Sequence, residues 1–86
     1  MNNKKIEDKI LKEMKKVVKD LSATKVAKIT LKKEGEKNWY TDYSVLLNGE
    51  KVSTVWADHN HPDKLDLKWA KYFLAYELIK LLYPTK

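Results

Sequence analysis

The chain has 86 residues and a formal net charge of +6, and all 18 of its basic residues are lysine. From this length we expect one domain with a modest core and no second domain. Without cysteine the chain forms no disulfide and no cysteine-ligated zinc site, and without arginine it lacks the planar fork that reads guanine in a major groove. We therefore expect a single domain whose charge favours polyanions or acidic proteins.

The first predicted element is an amphipathic helix from about Asn3 to Leu21. Its apolar residues recur at steps of three and four, which is typical of one helical stripe: Ile6, Ile10, Met14, Val17, Val18 and Leu21. Lysines share the opposite side: Lys5, Lys9, Lys12, Lys16 and Lys19. Two interpretations stay open, namely an ordinary solvated face and a polyanion-binding face that uses Lys9, Lys12 and Lys16.

Three strands are predicted next. Alternation of Ala27, Ile29 and Leu31 with polar residues indicates the first strand, and the run KKEGEKN indicates a charged turn around Gly35. Asn48-Gly49 has the composition of a type I′ turn, which predicts a hairpin between the second and third strands. The expected cross-strand pairs are Val45 with Val52, Tyr43 with Thr54, and Thr41 with Trp56.

This register predicts two unlike sheet faces. The apolar face is expected to hold Trp39, Tyr43, Val45, Leu47, Val52 and Trp56, joined by Ile29 and Leu31. The other face is expected to be mostly polar and exposed, with Lys28, Thr30, Lys32, Tyr40, Asp42, Ser44, Leu46, Lys51, Ser53 and Val55. Beside Lys32, Lys33 and Lys37, an exposed Tyr40 would be suited to stacking on single-stranded bases. For Trp39 two alternatives stay open: the same stacking role, or closure of the sheet edge over the core.

The last predicted element is a long apolar helix with Asp63 as its N-cap, or with Pro62 in its first turn, and with its end at Pro84. One of its ridges comprises Leu67, Ala70, Leu74, Leu78 and Leu81, and a second, about 150° away, comprises Leu65, Trp69, Tyr72, Tyr76 and Tyr83. Either both ridges are core, or the aromatic one leaves a surface for a protein partner or a homodimer at Trp69, Tyr72 and Tyr76. The predicted fold class is α+β, with the order α-β-β-β-α and two helices packed on one face of a three-stranded antiparallel sheet.

The chain shows little that is suited to catalysis. His59 and His61 lie two positions apart in an extended segment and so point to opposite sides, which does not favour a shared metal ion. Two glycines are too few for a phosphate-cradling loop. We expect a non-enzymatic protein with no cofactor and no metal. No segment of about 18 apolar residues and no apolar N-terminal run is present, so we also expect a cytoplasmic protein without a membrane partner.

From the second strand onward the sequence resembles a double-stranded RNA-binding domain. The run Tyr43-Ser44-Val45, the turn Asn48-Gly49 and the segment Lys68-Trp69-Ala70-Lys71 match that family's strand, turn and helix-start patterns. The resemblance implies a domain that recognises the shape of duplex RNA. It implies phosphate contacts from Lys68 and Lys71, with Lys64 one turn earlier on the same side, and further contacts from helix one and the loop between the first two strands.

Two functions therefore follow as expectations. The first is a small basic module that binds RNA or a nucleoprotein complex through Lys64, Lys68, Lys71, Lys32, Lys33, Lys37, Lys9, Lys12 and Lys16. The second is an inhibitor of the anti-CRISPR type, as phages make, that binds a host defence nuclease through Trp69, Tyr72 and Tyr76.

Overall fold

The computed structural model describes residues 3–61 and 64–84. Its elements are α1 (Asn3–Asp20), β1 (Ile29–Glu36), β2 (Tyr40–Leu47), β3 (Glu50–Asp58) and α2 (Lys68–Leu82). The strands form one antiparallel sheet in the order β1-β2-β3, and both helices pack on one face of it. This confirms the predicted α+β class and its element order.

The core lies between the sheet and the two helices. The predicted stripe of α1 faces this core, and four of its residues are buried: Ile6, Ile10, Met14 and Val18. α1 ends where Ser22 adopts a positive φ of 57°. There the Ala23 N–H donates to the Val18 carbonyl at 2.9 Å and the Ser22 N–H donates to the Lys19 carbonyl at 3.0 Å, which is the Schellman pattern. This cap turns the chain back towards the sheet.

β1 is longer than the sequence pattern predicted. The expected turn around Gly35 is wrong, because β1 continues to Glu36 and Gly35 pairs with Asp42 on β2. A bulge between Lys33 and Gly35 absorbs one residue, so pairing resumes beyond it. The reversal instead lies at 37–39, closed by the Lys37 N–H donating to the Tyr40 carbonyl at 2.8 Å.

The predicted hairpin turn is confirmed, but the predicted register of β3 is wrong beyond it. Asn48 and Gly49 have positive φ values of 53° and 87°, and Leu47 pairs with Glu50 as expected. The register then shifts between Val45 and Leu46, so that Val45 pairs with Ser53 instead of Val52. The pairs that follow are Tyr43 with Val55, Asp42 with Trp56 and Thr41 with Ala57.

This one-residue shift exchanges the faces of β3. Val55, expected on the exposed face, is buried, and Trp56, expected in the core, is 56% exposed. Because side chains alternate along a strand, one extra residue at the bulge reverses every position after it. Trp39 was also expected on the apolar face and is exposed in the turn before β2. Other residues of the predicted apolar face are buried as expected: Ile29, Tyr43, Val45 and Leu47.

α2 begins later than expected. Residues 64–67 are not helical and Leu67 is the N-cap, so a start at Pro62 or Asp63 is wrong, although these two residues themselves lie outside the described part. The helix starts where Leu67 enters the core and where Asp66 Oδ1 accepts a hydrogen bond from the Lys68 N–H at 3.3 Å. It ends at Leu82, two residues before Pro84, close to the predicted end.

Candidate binding surfaces

The two helices bring their lysines onto one surface. Lys71 Nζ, in the first turn of α2, lies 2.8 Å from Glu13 Oε1, in the middle of α1. Lys12 and Lys16 flank Glu13 on α1, and both are exposed. We call Lys9, Lys12, Lys16, Lys68 and Lys71 the two-helix lysine surface. The sequence predicted these lysines separately on each helix, and the fold brings them together.

Glu13 is the negative group within this surface. The hydrogen bond from Lys71 lowers the pKa of the Glu13 carboxyl below its usual value, and the charge of Lys71 is the next cause. Lys16 and Lys12 lower this pKa further, while partial desolvation opposes the shift. Glu13 is therefore ionised at neutral pH, and its negative charge neutralises the positive charge of one lysine. Lys71 is held by an intramolecular partner, unlike the outward-pointing phosphate ligand that the resemblance implies.

The remaining predicted lysines lie elsewhere. Lys64 is not on the helix, so its expected position one turn before Lys68 is wrong. It lines a shallow hollow with Trp56, Asp58, His61 and Asp66, and two of these are carboxylates. Lys32 lies in β1 as its alternation predicted, and Lys33 lies in β1 instead of the predicted turn; they pair with Glu34 at 3.6 Å and Glu36 at 3.1 Å, respectively. Lys37 alone of these three lies in the turn between β1 and β2.

The outward side of α2 is aromatic. Only the ridge with Leu67, Ala70, Leu74 and Leu78 is buried, so the alternative in which both ridges are core is wrong, and Leu81 of that first ridge is exposed. We define the aromatic surface of α2 as the residues that share an exposed arc of about 120°: Trp69, Tyr72, Phe73, Tyr76, Ile79 and Tyr83.

Rings on this surface contact one another along the helix. The Trp69 and Tyr72 centroids are 5.9 Å apart, and those of Tyr72 and Phe73 are 5.6 Å apart. The sequence identified Trp69, Tyr72 and Tyr76 but missed Phe73 and Ile79. Helical spacing was the signal for both, because Phe73 lies four residues after Trp69 and Ile79 three after Tyr76.

A second aromatic cluster lies on the opposite face of the sheet. Trp39 is 4.5 Å from Tyr40 and 5.8 Å from Trp56 between ring centroids. Its strand partners are acidic, since Asp42 pairs with Trp56 and Asp58 pairs with Tyr40. Trp39 and Tyr40, predicted to stack on bases, thus lie near carboxylates, which repel phosphate. The lysines of β1 that were expected beside these rings are paired with glutamates.

His59 is held in place by hydrogen bonds to neighbouring residues of the fold. Its Nε2 shares a hydrogen bond of 2.7 Å with Oγ1 of the buried Thr41, and its backbone N–H donates to the Trp39 carbonyl at 2.7 Å. Within residues 3–61 and 64–84, no three His, Cys, Asp or Glu side chains come close enough together to hold a metal ion. Neither helix, over the part of the chain that the structure describes, has the length and apolar character needed to span a bilayer.

Comparison with protein-family models, with curated proteins and with solved structures returned no match for this chain. The likeness to double-stranded RNA-binding domains therefore rests on the motif segments and on the α-β-β-β-α order.

Proposed function

We propose that this chain is a small non-enzymatic module that binds RNA through the two-helix lysine surface. The observation that supports it most is the ion pair between Glu13 and Lys71, because it joins the lysines of α1 and the start of α2 into one positive area. An RNA ligand, alone or in a nucleoprotein complex, implies a cytoplasmic protein, in keeping with a chain that contains no cysteine.

Because all basic residues of this chain are lysines, recognition of the RNA phosphate backbone is favoured over recognition of base edges. An ammonium group binds phosphate as a point charge and does not read base edges with a planar fork. Duplex RNA is recognised mainly by its shape and its phosphates, since side chains cannot read its deep groove. The proposed binding is thus weakly dependent on sequence and strongly dependent on salt.

The test is the triple variant Lys12→Gln, Lys16→Gln and Lys68→Gln, with affinity for a short RNA duplex measured by fluorescence anisotropy at several salt concentrations. Lys71 is left intact so that the contact between the helices survives. Loss of three phosphate contacts should reduce the slope of log affinity against log salt by about two to three, and should weaken binding by about tenfold or more at low salt.

The matched control is Lys25→Gln, Lys28→Gln and Lys51→Gln, which removes the same charge from exposed lysines outside the two-helix surface. It should retain most of the affinity. Equal losses in the two triple variants would mean that net charge alone attracts RNA, and the proposed surface would be rejected.

An inhibitor of a host defence nuclease, of the anti-CRISPR type, is the second candidate, and exposure of Trp69, Tyr72 and Tyr76 favours it. It requires a complex with one protein that survives nuclease treatment and no RNA affinity at physiological salt. A pull-down with and without nuclease treatment separates it from the RNA-binding proposal.

A further inference from the structure

We propose that the aromatic surface of α2 is a homodimer interface, on which α2 of a second copy of this chain packs. The inference does not rest on RNA binding, because it is argued from the exposed aromatic residues of α2 and needs no contact between a lysine and RNA. It follows from the spacing, the area and the charge of the exposed residues.

The spacing fits a partner helix. Trp69, Tyr72, Tyr76, Ile79 and Tyr83 follow one another at steps of three, four, three and four along α2. Alternating steps of three and four are the a and d positions at which one helix packs along another. A second copy of this chain carries the same stripe, and a two-fold axis brings the stripe against itself in one closed interface.

The exposed area is of the size that a dimer needs. An aromatic side chain has about 150–250 Å² to bury, so five rings that are 44% to 72% exposed leave on the order of 600 Å² in water. A standard interface buries about 800 Å² on each partner. Ile79, which is also exposed, and the apolar stems of the flanking lysines supply much of the remainder.

One lysine next to the stripe, Lys80, has its charge compensated within α2. Lys80 Nζ lies 3.5 Å from Glu77 Oε1 and 4.8 Å from the centroid of the Tyr76 ring, so its ammonium already has two partners within its own helix. Repulsion between two copies of net charge +6 opposes association, and salt screens it. Association should therefore strengthen as salt rises, which is opposite to the expectation for RNA.

The experiment is analytical ultracentrifugation of the full chain from micromolar to near-millimolar concentration, at low and at high salt. We expect the mass to rise with concentration from 10.1 kDa towards twice that value, and to rise more readily at high salt. Trp69→Gln should weaken self-association at least tenfold, and Tyr76→Asp should do the same. Circular dichroism checks the fold of each variant, and both residues are exposed in the monomer.

Trp56→Gln is the matched control, because Trp56 is about as exposed as Trp69 but lies on β3, on the opposite face of the sheet. It should leave the dimer intact. A chain that stays monomeric at every concentration and salt, or a dimer that Trp69→Gln and Tyr76→Asp leave unchanged, would overturn the proposal. So would a monomer that binds a different protein through these residues. Because RNA affinity falls with salt and self-association rises with it, failure of either proposal is distinguishable from failure of the other.

Discussion

Asn48 both forms the hairpin turn and attaches it to the chain before β1. Its positive φ of 53° supplies the first position of the turn. Its Oδ1 accepts a hydrogen bond from the Lys28 N–H at 2.8 Å, and its Nδ2 donates to the Val26 carbonyl at 2.9 Å. One residue thus fixes the turn and the start of the sheet together.

Substitutions at Asn48 separate these two contributions. Asn48→Gly keeps the positive φ and loses both side-chain hydrogen bonds, so we expect it to lower the free energy of unfolding by about 1–2 kcal/mol. Asn48→Ala also forces an alanine into the left-handed region, which adds about 1 kcal/mol. Urea denaturation measures both. Equal losses in the two variants would show that backbone conformation contributes nothing at this turn.

Tyr43 is a buried ionisable group whose proton the fold retains. Its hydroxyl donates to Glu7 Oε2 at 3.1 Å, and the side chain is fully buried. Burial raises the pKa of the Tyr43 phenol far above its usual value, and the nearby charge of Glu7 raises it further. The folded state therefore keeps the proton at a pH at which the unfolded chain releases it.

This raised pKa predicts loss of stability at alkaline pH. The unfolded tyrosine has a pKa of about 10, so its ionisation favours the unfolded state progressively above that pH, whereas below it the contribution is fully present. We expect the free energy of unfolding of the wild type to fall, relative to that of the Tyr43→Phe variant, as the pH rises above about 10. The two proteins differ in no other ionisable group, so the difference isolates Tyr43. A constant difference across the range would contradict the prediction.

At the scale of the elements, the contact between α1 and α2 includes a partly exposed ion pair that is surrounded by lysines. Glu13 holds Lys71, and Lys12 and Lys16 surround the same carboxylate. Exposed pairs stabilise folds only weakly because water and salt screen them. The larger consequence of Glu13 is electrostatic, since its negative charge lies among the lysines that we propose as phosphate contacts.

Glu13→Gln is therefore expected to strengthen RNA binding several-fold and to steepen the salt dependence by about one, because Lys71 becomes available to phosphate. Fluorescence anisotropy with the same RNA duplex measures this. Glu50→Gln, which makes the same charge change at the exposed end of β3, is the control. A similar gain in both variants would assign the effect to net charge instead of to the two-helix lysine surface.

The secondary-structure elements also show which features the sequence patterns predict correctly. The stripe of α1, the Asn48-Gly49 turn and the two ridges of α2 were predicted because each depends on residues a few positions apart. The start of α2 was not, since it is set by the place of Leu67 in the core, and Leu67 at the N-cap has no polar side chain that would mark the start in the sequence.

At the scale of the whole molecule, the domain is elongated, with principal extents of 46 × 20 × 18 Å. β1 continues through its bulge to Glu36. Lys32 and Lys33 of this strand are paired with Glu34 and Glu36, whereas the lysines of the two-helix lysine surface belong to α1 and α2. Of the contact surface that the resemblance implies, the proposal retains the lysines of the two helices.

Amino-acid order alone determined the helices, the strands, the hairpin turn and the positive charge, because these depend on short-range periodicity and composition. Tertiary structure decided which side of β3 is buried, which ridge of α2 stays in water, and that Glu13 meets Lys71. Those outcomes depend on residues far apart in the chain: a single bulge opposite Val45 exchanges Val55 with Trp56, and one sheet has room to cover only one side of α2.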